Sequence, residues 1–383
     1  MKVYLDNNAT TPLDPRVLEA VLPFCGEYYG NPSSMHAFGR DVRAHIDDAR
    51  EKIAGLLGIR ENEIVFTGSG SEADNTALKG AVAASDKKHP HIITDAIEHP
   101  AIFNTAKALE ENGVRVTFLP VGREGVVDPD DARKAIDGNT VLVSIMHVNN
   151  ETGAIQPVEE IAEICAEKGV LFHTDAVQSV GRIPVNFGEI GADMASVAGH
   201  KFNGPKGVGF LYVRTGTRIR PLIDGGEQEE GRRAGTHNSP GIIGLARALE
   251  LAIEELPATM ERVARLRDRF ESAILSKVPD CSVNGGGVRR VPNTSNIAFK
   301  GVEAEALLIK LDMDGIAVSA GSACSTGSAS SSHVLLAMGL TDREASSSIR
   351  FSFGKFNTEA EIDYVIDVVP RAVKQLRAIA ARA

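Results

Sequence analysis

Cysteine is scarce in this chain and never clustered. Its 383 residues include Cys25, Cys165, Cys281 and Cys324, with no Cys-x-x-Cys pair. That excludes the usual zinc-ribbon and thioredoxin spacings and points to reduced thiols. No apolar run reaches 18 residues, and no basic stretch with an apolar run behind it opens the chain. Neither a membrane span nor a secretory leader is therefore expected, and the chain is placed in the cytoplasm. Basic residues are outnumbered, 41 Lys and Arg against 51 Asp and Glu, for a formal charge of -10. A nucleic-acid surface needs a basic face to neutralise phosphates, so no direct nucleic-acid partner is expected. The histidines lack metal spacings such as His-Glu-x-x-His, and no metal is assigned. There is no internal repeat, and Ser319 to Ser332 is the one low-complexity stretch.

What is present fits an α/β enzyme. The length exceeds that at which single cores stop growing, so two domains are expected. Hydrophobic residues at 43% and charged residues at 24% are ordinary for such a class. Strand-like runs at Glu63–Thr67, His91–Thr94, Arg115–Leu119, Val141–His147 and Leu171–Thr174 alternate with helical patterns. This predicts a mainly parallel sheet covered on both faces, with ligand groups at the strand carboxyl ends. A helix over Pro15–Tyr28 and a long one over about Pro240–Arg269 are also predicted, the second interrupted at Pro257 by a hinge between domains.

The stretch that organises the rest is Ser196-Val-Ala-Gly-His-Lys-Phe-Asn-Gly-Pro-Lys-Gly207. An apolar run, Ala192–Ala198, enters a Gly-Pro turn and is followed by Val208–Val213, which reads as a hairpin holding Lys201 at a strand end. A desolvated amine there is a nucleophile toward an aldehyde; alone, it is a surface lysine in a turn. The turn Gly68-Ser-Gly-Ser-Glu-Ala-Asp-Asn75 opens a helix whose first amides suit an anion, and is equally an ordinary strand-to-helix turn.

Taken together, these groups supply what pyridoxal phosphate requires. Lys201 offers an amine for the aldehyde, and Asp175 a carboxylate for the pyridine nitrogen. Gly70, Ser71 and His200 offer donors for the phosphate, His99 a flat partner for the ring, and Gln178 a donor to its phenolic oxygen. Singly, Asp175 and His99 read as helix caps. His147 and His173 read as core histidines and Cys165 as core packing. Cys324 differs, because the small residues around it cannot pack a core and are expected to be exposed and mobile.

Over nearly its whole length the chain resembles the cysteine desulfurases of the NifS/IscS type, within the class V aminotransferases. The matching stretches are Tyr4-Leu-Asp-Asn-Asn-Ala-Thr-Thr-Pro12, Asn31-Pro-Ser-Ser34, Glu98-His99, His147-Val-Asn-Asn-Glu-Thr-Gly153, His173-Thr-Asp-Ala-Val-Gln178, Gly199-His-Lys201, Arg232-Arg-Ala-Gly-Thr236, Gly321-Ser-Ala-Cys-Ser325 and Ser347-Ser-Ile-Arg-Phe-Ser352. The resemblance implies the type I fold of pyridoxal phosphate enzymes. A mainly parallel seven-stranded sheet would lie in a large domain, 15–256. A smaller α+β domain, 1–14 and 257–383, would carry the mobile cysteine loop at about 319–333.

The resemblance also implies roles. Lys201 forms the Schiff base with the cofactor, Asp175 pairs its ring nitrogen, Gln178 contacts its phenolic oxygen and His99 stacks on the ring. Gly70, Ser71 and His200 hold the phosphate, joined by Thr236 from the second subunit of a homodimer. Asn150 and Arg350 clamp the carboxylate of the substrate, L-cysteine. Cys324 takes the sulfur as a persulfide and passes it to an iron-sulfur scaffold or another acceptor protein. One departure is Ala198, where many such enzymes have serine, which leaves His200 and the partner subunit more of the phosphate contact. Selenocysteine lyase and class V aminotransferase are the neighbouring activities. Nitrogenase maturation, general iron-sulfur assembly and transfer-RNA thiolation are all open destinations for the sulfur.

Overall fold

The computed structural model describes residues 1–320 and 331–381. Strand β1 (Val3–Tyr4) opens the chain. The central sheet follows from β2 (Ile64–Thr67), β3 (His91–Asp95), β4 (Arg115–Leu119), β5 (Thr140–Ser144), β6 (Leu171–Asp175), β7 (Met194–Ala198) and β8 (Gly209–Val213). Their spatial order is β2-β8-β7-β6-β5-β3-β4, and β8 is antiparallel to both its neighbours while the remaining pairs are parallel. This is the mainly parallel sheet expected from the alternation of strands and helices, with the seven strands that the resemblance implies. The hairpin at the lysine is β7 and β8, paired from Met194↔Val213 to Ala198↔Gly209.

Side chains alternate between the two faces of a strand, so a sheet covered on both sides has apolar residues in succession. Ile64 and Phe66 enter one core while Val65 enters the other, and Val143 and Leu142 divide in the same way. A further core gathers Val3 and Leu5 with residues from Val263 to Val373, including Phe270, Phe299 and Phe351. It contains β9 (Cys281–Val283), β10 (Thr294–Phe299) and β12 (Ser348–Ser352) in one antiparallel sheet, while β11 (Ile316–Ala317) pairs with β1.

Two helices differ from the expected spans. The first ends at Val21 and continues as a 3-10 turn over Leu22–Cys25, because Pro23 has no amide to extend the α-helical ladder. The long helix is two, Ser239–Glu254 and Leu256–Lys277, meeting at Glu255 with Pro257 in the first turn of the second, where a missing amide costs nothing.

The segment between β1 and the first helix crosses from one core to the other. It ends at Asp14, a buried helix cap that accepts from the Arg16 amide and pairs with Arg16 at 2.8 Å and Lys355 at 2.7 Å; Glu255 closes the network onto the same two cations. The Arg16 bond, with help from Lys355, holds the Asp14 carboxyl far below the usual carboxylate range. Asp14→Ala is expected to cost about 2 kcal/mol in urea unfolding, for the lost cap and the half-buried pair. A carboxyl whose folded pKa is depressed contributes fully above its unfolded value and loses that contribution as pH falls through the folded one. The difference between wild type and variant should therefore persist at neutral pH and shrink below about pH 4.

Candidate active site

Lys201 ends the 3-10 turn Gly199–Lys201 that follows β7. Its Nζ donates to the carbonyls of Asn8 at 2.6 Å and Ala9 at 2.8 Å. The turn is pinned by Thr11, whose amide and hydroxyl both donate to the His200 carbonyl, at 3.0 and 2.9 Å, and whose hydroxyl accepts from the Asn203 amide at 2.8 Å. Asn203 takes a left-handed φ of 65°, a conformation asparagine tolerates better than most residues.

A cavity of about 240 Å³ opens beside this amine, lined among others by Gly70, Ser71, His99, Asp175, Gln178 and His200. Asn150 and Ala198 also face it. Asp175 lies at the end of β6, its Oδ1 accepting from the Val177 amide at 2.9 Å. Burial pushes its pKa up to about 6, against the opposing pull of that amide and of Lys201. His99 caps the helix Pro100–Glu111, and its Nδ1 accepts from the Ala101 amide at 3.1 Å, which leaves the ring proton on Nε2. Burial, followed by the charges of Lys201, His333 and Arg350, lowers it to about 4, so the ring is neutral at physiological pH. His200 is likewise lowered to about 4 by burial and by Lys201.

Gly70 and Ser71 are the first residues of the helix Gly70–Ala84, whose amides have no intrahelical carbonyl to reach. A Cβ on Gly70 would meet Val177 Cγ2 at 2.8 Å and Ala198 Cβ at 3.3 Å, so glycine permits this close seat against the sheet. The turn is braced by Glu72, which accepts from the Gly68 amide at 2.8 Å and from Arg233 Nε at 2.8 Å.

Of the other expected residues, two do not line the cavity within this chain and one lies outside the described residues. Arg350 on β12 is buried and does not line this cavity. It donates to the Asn150 carbonyl at 3.0 Å and to Asp6 Oδ1 at 2.8 Å, while its Nε has no partner among the described residues. Asn150 Oδ1, on the cavity wall, is also unpartnered there. Thr236 is exposed and not part of the lining. Cys324 lies outside the described residues; on the near side of that stretch Ser319 pairs its backbone with Arg350, and on the far side Ser332 donates to Glu151 at 2.6 Å.

A profile of the class-V aminotransferases matches residues 3–365. The chain belongs to the class-V aminotransferase family. Among its class-V relatives, a cysteine desulfurase of Trichormus azollae is 52% identical over 98% of this chain and 94% of its own. A cysteine desulfurase IscS of Dictyoglomus turgidum is 49% identical over 99% and 96%. Of solved structures, a NifS-like protein superposes with a TM-score of 0.92 at 42% identity, over 98% of this chain and all of its own. SspA in complex with cysteine gives 0.83 at 36%, over 93% of this chain and all of its own. The type I fold and the dependence on pyridoxal phosphate follow from membership. The cavity fits that group: it joins an amine, a buried carboxylate, a neutral imidazole, a helix N-terminus cleared by Gly70 and an unpartnered amide oxygen.

The residues that sequence reasoning missed are Asn8, Ala9, Asp74 and Arg182. Asp74 lies on the cavity wall, buried, with Oδ1 unpartnered and its pKa raised by burial and by Asp175. Its position one helical turn after Gly70 was the available signal. His173 is a satisfied core histidine, bonded to Ser144 Oγ at 2.8 Å and Ser196 Oγ at 3.0 Å.

A raised folded pKa on Asp175 means the folded chain gives up stability as pH rises from its unfolded value, near 4, through about 6. Asparagine keeps an acceptor for Val177 without the charge. Asp175→Asn apoprotein is therefore expected to melt above the wild type at pH 8, with the difference closing below about pH 4, as scanned by circular dichroism.

Proposed function

We propose that this class-V aminotransferase acts as a cysteine desulfurase, taking sulfur from L-cysteine to leave L-alanine and a persulfide on Cys324. The observation that carries this reading is the convergence of Lys201, Asp175, His99 and the Gly70–Ser71 helix terminus on one cavity, in a chain whose sequence places Cys324 between Ser319 and Ser332. Relatives named cysteine desulfurase and a neighbour solved with cysteine support the substrate class.

Pyridoxal phosphate, when bound, supplies an aldehyde that holds the substrate amine and a ring that takes up electrons. The chain supplies the rest. Asp175 stays ionised beside a cationic ring nitrogen, because an adjacent positive charge favours the carboxylate that burial alone would protonate. The Gly70 and Ser71 amides, with His200, would hold the phosphate, and Thr236 of the partner subunit in a homodimer would complete that cradle. Neutral His99 would lie against the ring face, and Gln178 would donate to the phenolic oxygen. Lys201 moves the proton at the substrate Cα. Asn150 and Arg350 would clamp the substrate carboxylate, Arg350 with a guanidinium whose Nε has no partner among the described residues. Cys324 as thiolate attacks the substrate sulfur: an S–S bond forms, the carbon–sulfur bond breaks with its electron pair left on the carbon side, and a proton taken up by that carbon completes alanine, so that sulfur is oxidised as carbon is reduced.

In this reading residues 15–256 form the cofactor domain, and 1–14 with 257–383 a smaller one that brings Cys324 to the substrate. The persulfide then passes to an iron-sulfur scaffold or another acceptor protein in the cytoplasm. No helix among the described residues is long and apolar enough to cross a membrane.

Purified holoenzyme mixed with L-cysteine is expected to form alanine without any keto acid. Lys201→Ala should lower that rate about a hundredfold or more. Cys324→Ala should abolish the persulfide detected by alkylation and mass spectrometry. Persulfide on the Cys324→Ala chain, or alanine formed only with an added keto acid, would overturn the reading in favour of aminotransferase chemistry.

A further inference from the structure

Arg182 is a buried cation with no carboxylate in ion-pair range among the described residues. It is 4% exposed, and its bonds go to neutral oxygens: Asn8 Oδ1 at 2.8 Å, the Asn7 carbonyl at 3.0 Å and Gln178 Oε1. Burial, followed by Arg350, lowers its pKa to about 9. Burying a guanidinium against neutral acceptors is costly, and no step described above uses it.

Arginine carries donors and no acceptor. The Gln178 oxygen must therefore face Arg182, since a flipped amide would set N–H against N–H. The nitrogen then points the other way with two N–H groups, of which one donates to the Asn8 carbonyl at 3.0 Å. Because Gln178 lines the cavity that Lys201 and Asp175 share, the second N–H is the donor this wall can offer. The Asn8 carbonyl also accepts from Lys201 Nζ at 2.6 Å. Arg182 thus fixes both the amide of Gln178 and the segment that holds the lysine.

We propose that Arg182 is a positioning residue that locks Gln178 with its N–H toward the cavity and, through its buried charge, favours a ligand bearing an anionic oxygen at that wall. The inference rests on the pyridoxal phosphate reading, in which the phenolic oxygen beside the aldehyde is that group. The other charged or titratable groups facing this corner are Lys201 and His200 after β7, Asp175 at the end of β6, Asp74 and His99 on the cavity wall, Arg350 on β12, and Asp14, Glu255 and Lys355, which line a second small cavity with Arg182 and Lys201.

The test is reconstitution of wild type, Arg182→Met, Arg182→Lys, Gln178→Ala and the doubles with pyridoxal phosphate, reading Kd and the pH midpoint of the bound cofactor's visible absorption. Removing a nearby positive charge raises the pKa of the group it faced, so Arg182→Met is expected to move the midpoint up by about one unit and to weaken binding about tenfold. Arg182→Lys, which keeps the charge and loses the fork, should restore the midpoint and leave binding weakened. Gln178→Ala should weaken binding in the wild-type background and add little in Arg182→Met, because the two act as one unit. An unchanged midpoint with additive losses overturns the proposal. If Arg182→Met does not fold, Arg182→Lys decides: Gln178→Ala costing as much there as in wild type overturns it equally. A wild-type chain that takes up no cofactor defeats the cofactor reading instead.

Discussion

The hydrogen bonds from the Lys201 amine to the Asn8 and Ala9 carbonyls tie the chemistry to the assembly of two separate cores. Those carbonyls belong to a segment anchored by β1 on β11 and by Asp6 on Arg350. The lysine comes from the other side, at the end of a central strand. Asn8 is 2% exposed and spends every polar atom in this junction: its amide on Ser352, its Nδ2 on Asn150 and Thr294, its Oδ1 on Arg182 and Asn293, its carbonyl on Lys201 and Gln178. A buried polar group is stabilising only when so satisfied. The cavity wall is therefore not a property of the central sheet alone. Displacement of the second core would move the acceptors of the lysine.

Burial acts with one sign on each ionisable class around the cavity. Carboxylates are pushed up, Asp95 to about 7 and Asp175 to about 6, and imidazoles are pushed down. Glu98 follows the same rule, its Oε1 accepting from the Met146 amide at 2.7 Å and its Oε2 without a partner among the described residues. An apoprotein that buries these carboxylates gives up stability at neutral pH, and a bound cationic ring returns part of it at Asp175. Binding and folding are linked at that residue.

Much of the fold was legible because the central strands are covered on both faces. Their continuous apolar runs, separated by helical periods, leave little choice but a parallel sheet, and site residues at strand ends then follow. Lys201, Asp175, His99 and the Gly70 turn could be picked out because each sits where backbone geometry is punctuated by glycine, proline or a cap. Asn8 and Arg182 could not. Their importance lies in bonds spanning more than 170 positions of sequence, as Arg182 to Asn8 does, and an isolated asparagine or arginine advertises no such partner. The break at Pro257 was legible because proline punctuates a helix, whereas the end of the first helix was misread by passing over Pro23, which breaks its ladder.

Ala198 shows how a missing hydroxyl shifts work to a neighbour. Its methyl lies 3.3 Å from where a Cβ on Gly70 would stand, and Ala198 itself offers an incoming anion no side-chain donor. His200, two residues on, is neutral and carries a single N–H. Its Nδ1 lies 3.1 Å from Thr10 Oγ1, a contact in which the hydroxyl can give or receive. When Thr10 donates, Nδ1 accepts and the proton sits on Nε2, free to serve an anion; when Thr10 accepts, that proton is spent on the threonine. A phosphate bonded to His200, which only a donor can satisfy, would select the first arrangement. In that arrangement Thr10 would set the His200 tautomer by the rotation of one hydroxyl.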